Sequence, residues 1–119
     1  MMRVLIVDDN AAMRRTIRSV IQDLAGEIAE CSSGLAGLDQ YRIFKPDWVL
    51  MDIKMSDIDG LTATREIKRD FADARVVIVT SYDDVSLRDE AAEAGACAYV
   101  LKDNLKQLVN ILGRSSAAA

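Results

Sequence analysis

Four short apolar runs, each followed by a polar residue, constrain the fold of this 119-residue chain more than any other feature. The runs are Val4–Val7, Trp48–Met51, Val76–Val79 and Ala98–Leu101, and they lead into Asp8, Asp52, Thr80 and Lys102. Because nearly every residue in a run is apolar, each run predicts a strand buried on both faces, which is typical of a parallel sheet covered by helices. The carboxyl ends of parallel strands share one edge, so we expect the four polar residues to collect in one cleft.

Segments of helical period separate these runs, and turn residues bound them. A further short strand is predicted at Glu27–Cys31. Ser33 is predicted to cap the second helix, Pro46 to end it, and Asp59–Gly60 to open the third. The order indicates five βα units. The predicted fold class is therefore α/β, a doubly wound five-stranded parallel sheet of order 2-1-3-4-5 with helices on both faces.

The predicted helix at Asp83–Ala94 differs from the others in composition. It is acidic and rich in alanine, and Val85 and Leu87 are its only large apolar residues. A helix with so little apolar surface to bury is expected to be loosely held. The chain is predicted to form one domain over residues 1–113, followed by a tail, linker stub or cloning scar at 114–119.

Composition narrows the possible functions. The net charge of −4 disfavours a nucleic-acid-binding surface, and the absence of histidine removes the commonest general base. No run approaches the ~20 apolar residues of a membrane span. No signal peptide opens the chain, so we expect a soluble, cytoplasmic protein with no membrane contact. Cys31 and Cys97 are too few for a disulfide framework and are expected to be small buried residues in separate strands.

The polar residues at the predicted strand ends suit phosphoryl chemistry. Asp8 and Asp9 could include a helix N-cap, but a cap explains only one of two adjacent carboxylates. Adjacent carboxylates repel, so the pKa of one should rise unless a cation intervenes. With Asp52 they would form a three-carboxylate cup suited to Mg²⁺. A carboxylate can attack phosphorus, while Thr80 could donate a hydrogen bond and Lys102 could neutralise charge on a transferring phosphoryl group.

From Arg3 to about Leu112 the chain resembles the receiver domain of response regulators in two-component signalling, and is closest in size to the single-domain chemotaxis type. The resemblance depends on motifs in a specific order and spacing. These are Val7-Asp8-Asp9-Asn10 with Met13-Arg14, Lys45-Pro46-Asp47 leading into Val49-Leu50-Met51-Asp52, Met55 through Asp59-Gly60, Thr80-Ser81, Ala94-Gly95-Ala96, and Tyr99 through Lys102.

The resemblance implies a flavodoxin-like fold and a phosphorylation-activated switch rather than a classical enzyme. It implies Asp52 as phosphoacceptor, and Lys102 and Thr80 as contacts of the phosphoryl group. By the same resemblance, Mg²⁺, or Mn²⁺ as an alternative, would be held by Asp52, by Asp9 directly, by Asp8 through water and by the Lys54 backbone carbonyl. Tyr99 would be a switch that turns inward when Thr80 moves. The output surface would be helix 4, strand 5 and helix 5.

The implied partners are proteins of a signalling pathway. The phosphoryl donor would be a sensor histidine kinase or phosphotransfer protein, which fits the absence of histidine here. The response would pass to a downstream output protein or to a missing output domain. A monomer or a phosphorylation-dependent dimer is expected.

Two positions depart from the family pattern. Ser56 stands where proline is usual, which would loosen the loop after Asp52. Asp103 stands where proline is common and its peptide bond is often cis. A cis non-proline bond costs about 3 kcal/mol, so Lys102–Asp103 is predicted to be trans. Lys54 and Tyr82 occupy the two positions that tune acyl phosphate hydrolysis in the family.

Other functions remain open at this stage. A haloacid-dehalogenase-type phosphatase would need a D-x-D motif and a cap, whereas the motif here is Asp8-Asp9-Asn10. A flavodoxin shares the sheet order, but these carboxylates would repel its phosphate, and no nucleotide-binding glycine motif occurs. A pseudo-receiver scaffold is a third alternative. Lys102-Asp103 also occurs in receivers joined to helix-turn-helix transcription factors, so a receiver excised from a DNA-binding response regulator is a fourth.

Overall fold

The computed structural model describes the backbone of residues 1–118 and the side chains of residues 1–114. Strands and helices alternate through this part of the chain. They are β1 (Arg3–Val7), α1 (Ala11–Ile21), β2 (Glu27–Cys31), α2 (Gly34–Phe44), β3 (Trp48–Met51), α3 (Gly60–Asp70), β4 (Val76–Thr80), α4 (Val85–Ala94), β5 (Ala98–Leu101) and α5 (Lys106–Ala118). The predicted βα units are confirmed.

The strands form one parallel sheet in the order β2-β1-β3-β4-β5, as predicted. The chain reverses its direction of winding between β1 and β3, which are neighbours at the centre. Val7 pairs with Met51 in the register of these strands. The backbone N–H of Asp52 then donates to the carbonyl of Val7 at 2.9 Å. This register brings the residues that follow β1 and β3 side by side.

Alternate residues along the strands build a separate core on each face of the sheet. On one face Leu5, Val49 and Ile78 belong to a cluster that includes residues of α3 and α4 and is flanked by residues of α2. On the other face Ile6 and Leu50 pack with residues of α1 and α5. Burial on both faces explains why the strand sequences are almost wholly apolar.

Most element boundaries lie where the turn residues predict. The Ser33 and Asp59 side chains cap α2 and α3 by accepting N–H groups of their first turns, and Gly95 ends α4 with a φ of 103°. Lys45, just before Pro46, takes the left-handed conformation that closes α2. Helix α1 ends at Ile21.

Helix α4 buries little, in agreement with its composition. Its buried residues are Ala91 and Ala94, and Val85 is 75% exposed. The small apolar contact is confirmed, whereas the looseness inferred from it stays a prediction. No helix in the described part of the chain combines the length and apolar character that crossing a membrane requires.

The two cysteines are free and lie on strands at opposite edges of the sheet or beside them. Cys31 is buried, but the expectation that Cys97 is buried is wrong, since it precedes the edge strand β5 and is exposed. The Lys102–Asp103 peptide bond is trans, as predicted. Helix α5 continues to Ala118, and the role predicted for residues 114–119 as tail, linker stub or cloning scar falls largely outside the described side chains and stays a prediction.

Candidate functional site

The acidic pair after β1 is not used for helix capping. Asn10 caps α1, since its side-chain oxygen accepts the N–H of Met13 at 2.9 Å. Asp8 is 1% exposed, and its Oδ1 accepts the N–H of Asn10 at 2.9 Å. Asp9 is exposed. The capping interpretation therefore fails for both carboxylates.

Asp52 completes a cluster of three carboxylates at the switch point of the sheet. It is 6% exposed, and its Oδ1 accepts the N–H of Ile53 at 3.0 Å. One oxygen from each of Asp8, Asp9 and Asp52 lies within 4.8 Å of the others. The structure thus brings together the three carboxylates that the strand ends predict.

Lys102 reaches this cluster from the end of β5. Its Nζ lies 3.0 Å from Asp8 Oδ2 and 3.2 Å from Asp52 Oδ1, and its side chain is 16% exposed. Among the described residues, Asp8 Oδ2 faces no other donor. The ammonium therefore bridges two buried carboxylates.

One cation does not balance the buried negative charge. Burial, and secondly the carboxylate of Asp8, raise the pKa of Asp52 from its ordinary value of 3.8 to about 6, although Lys102 opposes the rise. Burial would lower the pKa of Lys102, but hydrogen bonding and attraction to Asp8 and Asp52 raise it above its ordinary value. The like-charge effect at Asp52 comes from Asp8, with which it shares the buried end of the cleft.

Thr80 and Tyr99 meet at the loop after β4. Thr80 is fully buried, and its Oγ1 accepts the N–H of Tyr82 at 3.2 Å. The Tyr99 hydroxyl donates to the carbonyl of the same Tyr82 at 2.6 Å, and the guanidinium of Arg88 lies 4.6 Å from the Tyr99 ring centre. Asp84 caps α4, so Thr80 is not its cap. Both predicted switch residues thus hold the same short segment.

Lys54 and Tyr82 contact each other across the mouth of the cleft. The Lys54 ammonium lies 5.4 Å from the Tyr82 ring centre, which joins the β3–α3 loop to the β4–α4 loop by a cation–π contact. The metal-ligand role of the Lys54 carbonyl stays a prediction.

Two polar residues near the site carry no role in the sequence interpretation. Arg14 Nη1 donates to the carbonyl of Asp8 at 2.6 Å, while Arg14 Nε donates to Glu30 on β2. Asp57, in the loop after Asp52, accepts two N–H groups at the start of α2. Arg14 belongs to the Met13-Arg14 motif, which is part of the family resemblance. Nothing in the sequence distinguishes Asp57 from an ordinary loop carboxylate.

The donor set fits a hard divalent cation. Mg²⁺ in proteins is usually held by one or two carboxylates together with water and phosphate oxygens. Asp8, Asp9 and Asp52 offer oxygen ligands alone, and Asp52 carries a charge that Lys102 leaves undercompensated. A divalent cation there would supply the missing positive charge.

Comparison with known proteins identifies the family. The sequence profile described as the response regulator receiver domain matches residues 4–113. The chain is 38% identical over 101 residues to chemotaxis protein CheY of Bacillus subtilis, covering 84% of each. It is 39% identical over 104 residues to response regulator GacA of Pseudomonas viridiflava, covering 86% of this chain but 49% of GacA. A crystal structure of a LuxR-family two-component response regulator from Aurantimonas sp. SI85-9A1 has a TM-score of 0.88 and 31% identity, and covers 98% of this chain and 85% of that one.

The chain belongs to the response regulator receiver domain family, the signalling switches of two-component systems. The share of each relative's length that the chain covers differs between the two. It matches most of CheY but spans about half the length of GacA.

Proposed function

We propose that Asp52 accepts a phosphoryl group from a phosphohistidine donor with the aid of Mg²⁺, and that the chain thereby acts as a phosphorylation-activated switch. The single observation that carries this proposal is the arrangement at the switch point of the sheet. The Asp8, Asp9 and Asp52 oxygens lie within 4.8 Å of one another, and the Lys102 ammonium contacts two of these carboxylates.

The transfer uses groups that the chain holds in place. An oxygen of Asp52 attacks phosphorus, and the bond between phosphorus and the donor nitrogen breaks. That nitrogen leaves with the electron pair and takes up a proton, while Asp52 becomes an acyl phosphate. The Lys102 ammonium stabilises charge on the transferring oxygens. Asp8 and Asp9, with Asp52 and the Lys54 carbonyl, would hold Mg²⁺, or Mn²⁺ in its place, which neutralises the same oxygens when bound.

The relay starts at Thr80. A hydrogen bond from the Thr80 hydroxyl to a phosphoryl oxygen would draw it away from the Tyr82 N–H that it now accepts at 3.2 Å. Because Tyr82 also holds the Tyr99 hydroxyl, movement of this segment would release Tyr99 to turn inward. The change would reach the face formed by α4, β5 and α5, where an output protein would bind.

Partners follow from the same proposal. The donor would be a sensor histidine kinase or phosphotransfer protein, and the response would pass to an output protein or an output domain, as in regulators of which this chain spans half. Dimerisation on phosphorylation and a cytoplasmic location stay predictions. The scaffold alternative is disfavoured because Asp8, Asp9 and Asp52 cluster together and Lys102 contacts two of them.

Phosphoramidate tests the proposal, because it is a small donor with the same phosphorus–nitrogen bond. Intact-protein mass after incubation with phosphoramidate and Mg²⁺ should show a gain of one phosphoryl group. The gain should be lost in EDTA and in Asp9→Asn, which removes an exposed metal ligand. Asp39→Asn, an equal charge change on the exposed side of α2, is the matched control and should be modified like the parent. A gain unaffected by EDTA and Asp9→Asn would contradict the metal role, and no gain with this or a phosphohistidine donor would support the scaffold alternative.

A further inference from the structure

The loop between β3 and α3 follows the phosphoacceptor and contains Lys54, whose carbonyl is a proposed metal ligand. It begins beside Asp52 and ends at the α3 cap Asp59. Its two ends are tied by the Gly60 N–H, which donates to the carbonyl of Ile53 at 2.8 Å. Ser56 in place of proline leaves the middle of this loop without the restriction that proline would impose.

A carboxylate in the middle of the loop holds it to a different helix. Asp57 Oδ1 accepts the N–H of Gly34 at 3.0 Å, and Oδ2 accepts the N–H of Leu35 at 2.9 Å. In residues 54–58, all of which the structure describes, these are the hydrogen bonds that reach another element. The Asp57 carboxylate, called the clamp below, therefore ties the loop to the start of α2.

Asp57 completes the N-terminus of α2. The first N–H groups of a helix have no partner within it, and Ser33 satisfies the N–H of Ala36. Asp57 accepts the N–H groups of Gly34 and Leu35, which lie between Ser33 and Ala36, so the N–H groups of the first turn of α2 are all paired. The Leu35 N–H has the largest effect on the pKa of Asp57 and lowers it. Burial, the next effect in size, opposes this, and the N–H groups of Ile58 and Gly34 lower the pKa further, to about 2, so the carboxylate stays charged across the neutral range.

The opposing surface is shaped for this contact. A Cβ placed on Gly34 would lie 2.6 Å from Ile58 Cγ1 and 2.8 Å from the Ile58 carbonyl oxygen. The loop approaches α2 so closely that only glycine fits at the first position of the helix. Ile58 itself packs against the core on this face of the sheet. Charge and shape thus hold the loop at the same place.

We propose that Asp57 is a positioning residue for the phosphoacceptor site. It clamps the β3–α3 loop to the N-terminus of α2 and thereby fixes the Lys54 carbonyl, three residues earlier, for binding Mg²⁺. This proposal rests on the proposed function, because it needs the Asp8–Asp9–Asp52 cluster to be a Mg²⁺ site.

Calorimetric titration with Mg²⁺ tests the clamp. Asp57→Ala should weaken Mg²⁺ binding by about tenfold, the lower end of effects for residues that support metal ligands. Asp57→Asn can still accept one N–H, so it should recover part of the loss. Gly34→Ala, which keeps Asp57 but pushes the loop away, should also weaken binding. Asp39→Asn removes a charge on the same helix and should bind Mg²⁺ like the parent.

The outcomes separate this proposal from the proposed function. Amide exchange at residues 53–60 should be faster in Asp57→Ala and Gly34→Ala, which shows that the loop was released. If exchange is faster but Mg²⁺ affinity stays within about twofold of the parent, Asp57 is only structural and the proposal is overturned. If the parent binds no Mg²⁺, both the clamp's role and the proposed function fail. If the parent binds Mg²⁺ but accepts no phosphoryl group, only the proposed function fails.

Discussion

At the scale of single residues, the fold buries more negative than positive charge at the site. Asp8 and Asp52 are almost wholly buried beside each other, with one ammonium between them. Burying a carboxylate costs free energy unless it is fully paired, and the raised pKa of Asp52 shows that this pairing is incomplete. The incomplete pairing that would favour the proposed cation and phosphoryl group therefore has a cost in stability.

Neutralising Asp52 should stabilise the metal-free protein. Because folding raises its pKa from 3.8 to about 6, the folded state prefers the protonated form, and the parent loses stability as the pH rises through 6. Asp52→Asn avoids this loss. In urea unfolding with EDTA, it should be more stable than the parent by roughly 2 kcal/mol at pH 7.5, and the difference should vanish near pH 4.

Asp39→Asn, on an exposed position, should match the parent at both pH values. A stability difference between Asp52→Asn and the parent that does not change with pH would show that burial of the charge is not its cause.

Removing Lys102 should have the opposite effect. Lys102→Met leaves two buried carboxylates without their cation, and breaking such an ion pair costs about 3 kcal/mol. The cost should shrink at pH 5, where Asp52 is largely protonated. Mg²⁺ should stabilise the variant more than the parent, since it replaces the lost charge. Thermal unfolding with and without Mg²⁺ measures this, with Lys106→Met, an exposed lysine on α5, as control. A smaller Mg²⁺ stabilisation in Lys102→Met than in the parent would contradict the charge argument.

At the scale of elements, the strands form the sheet that supports the site, and the loops and helix ends that follow them position its side chains. The β3–α3 loop makes two close contacts that leave no room for a side chain, Gly60 against Asp52 and Gly34 against Ile58. Helix α4 is attached to the sheet mainly through alanines. The closely packed β3–α3 loop and the sparsely packed helix α4 thus flank Asp52.

Gly60 should tolerate no side chain. A Cβ there would lie 1.8 Å from the Asp52 carbonyl oxygen and 2.8 Å from its carbon, and backbone atoms cannot yield as a side chain can. Gly60→Ala should therefore destabilise by about 3 kcal/mol and displace the phosphoacceptor. Gly113 lies in helix α5, and a Cβ there would meet nothing within 4 Å. Gly113→Ala should therefore be neutral or stabilise the protein by up to about 1 kcal/mol. Thermal melts of the two variants test this, and equal stability would contradict the close approach.

Phosphorylation should act on the weakly packed segment. With acetyl phosphate and Mg²⁺, hydrogen exchange should change mainly across residues 83–102, because α4 buries so little and Tyr82 links Thr80 to Tyr99. Asp52→Asn under the same conditions should show no change. Exchange that is unaltered in this segment of the phosphorylated parent would favour the scaffold alternative.

At the scale of the whole molecule, the sheet order connects the site to the proposed output face. Asp8 and Asp52 follow the two central strands, Thr80 ends β4, and Lys102 follows the edge strand β5. The carboxyl ends of the strands therefore carry the proposed phosphoacceptor, the hydroxyl and the ammonium in spatial order. A change at Asp52 has only one strand to cross before it reaches β5.

This large-scale arrangement was predictable because four of the strands are apolar runs, and because the crossover rules, with polar residues at the ends of strands one and three, favour the order 2-1-3-4-5. The contacts between elements were not. Asp57 reaches residues 22 and 23 positions earlier in the chain, and an exposed loop carboxylate gives no sign of its partner. The exposure of Cys97 was missed because a small apolar residue beside an edge strand looks the same in sequence as one in the core. The pKa of Asp52 depends on its distances from Asp8 and Lys102, which the spacing of residues along the sequence does not encode.

The central claim is that Asp52 itself accepts the phosphoryl group, and locating the modification tests it most directly. The phosphorylated protein should be reduced with borohydride, which converts an acyl phosphate but not a phosphoester, and its peptides mapped by mass. We expect the reduced residue at position 52 alone and no modification in Asp52→Asn. Modification at another residue, or an unchanged yield in Asp52→Asn, would contradict it.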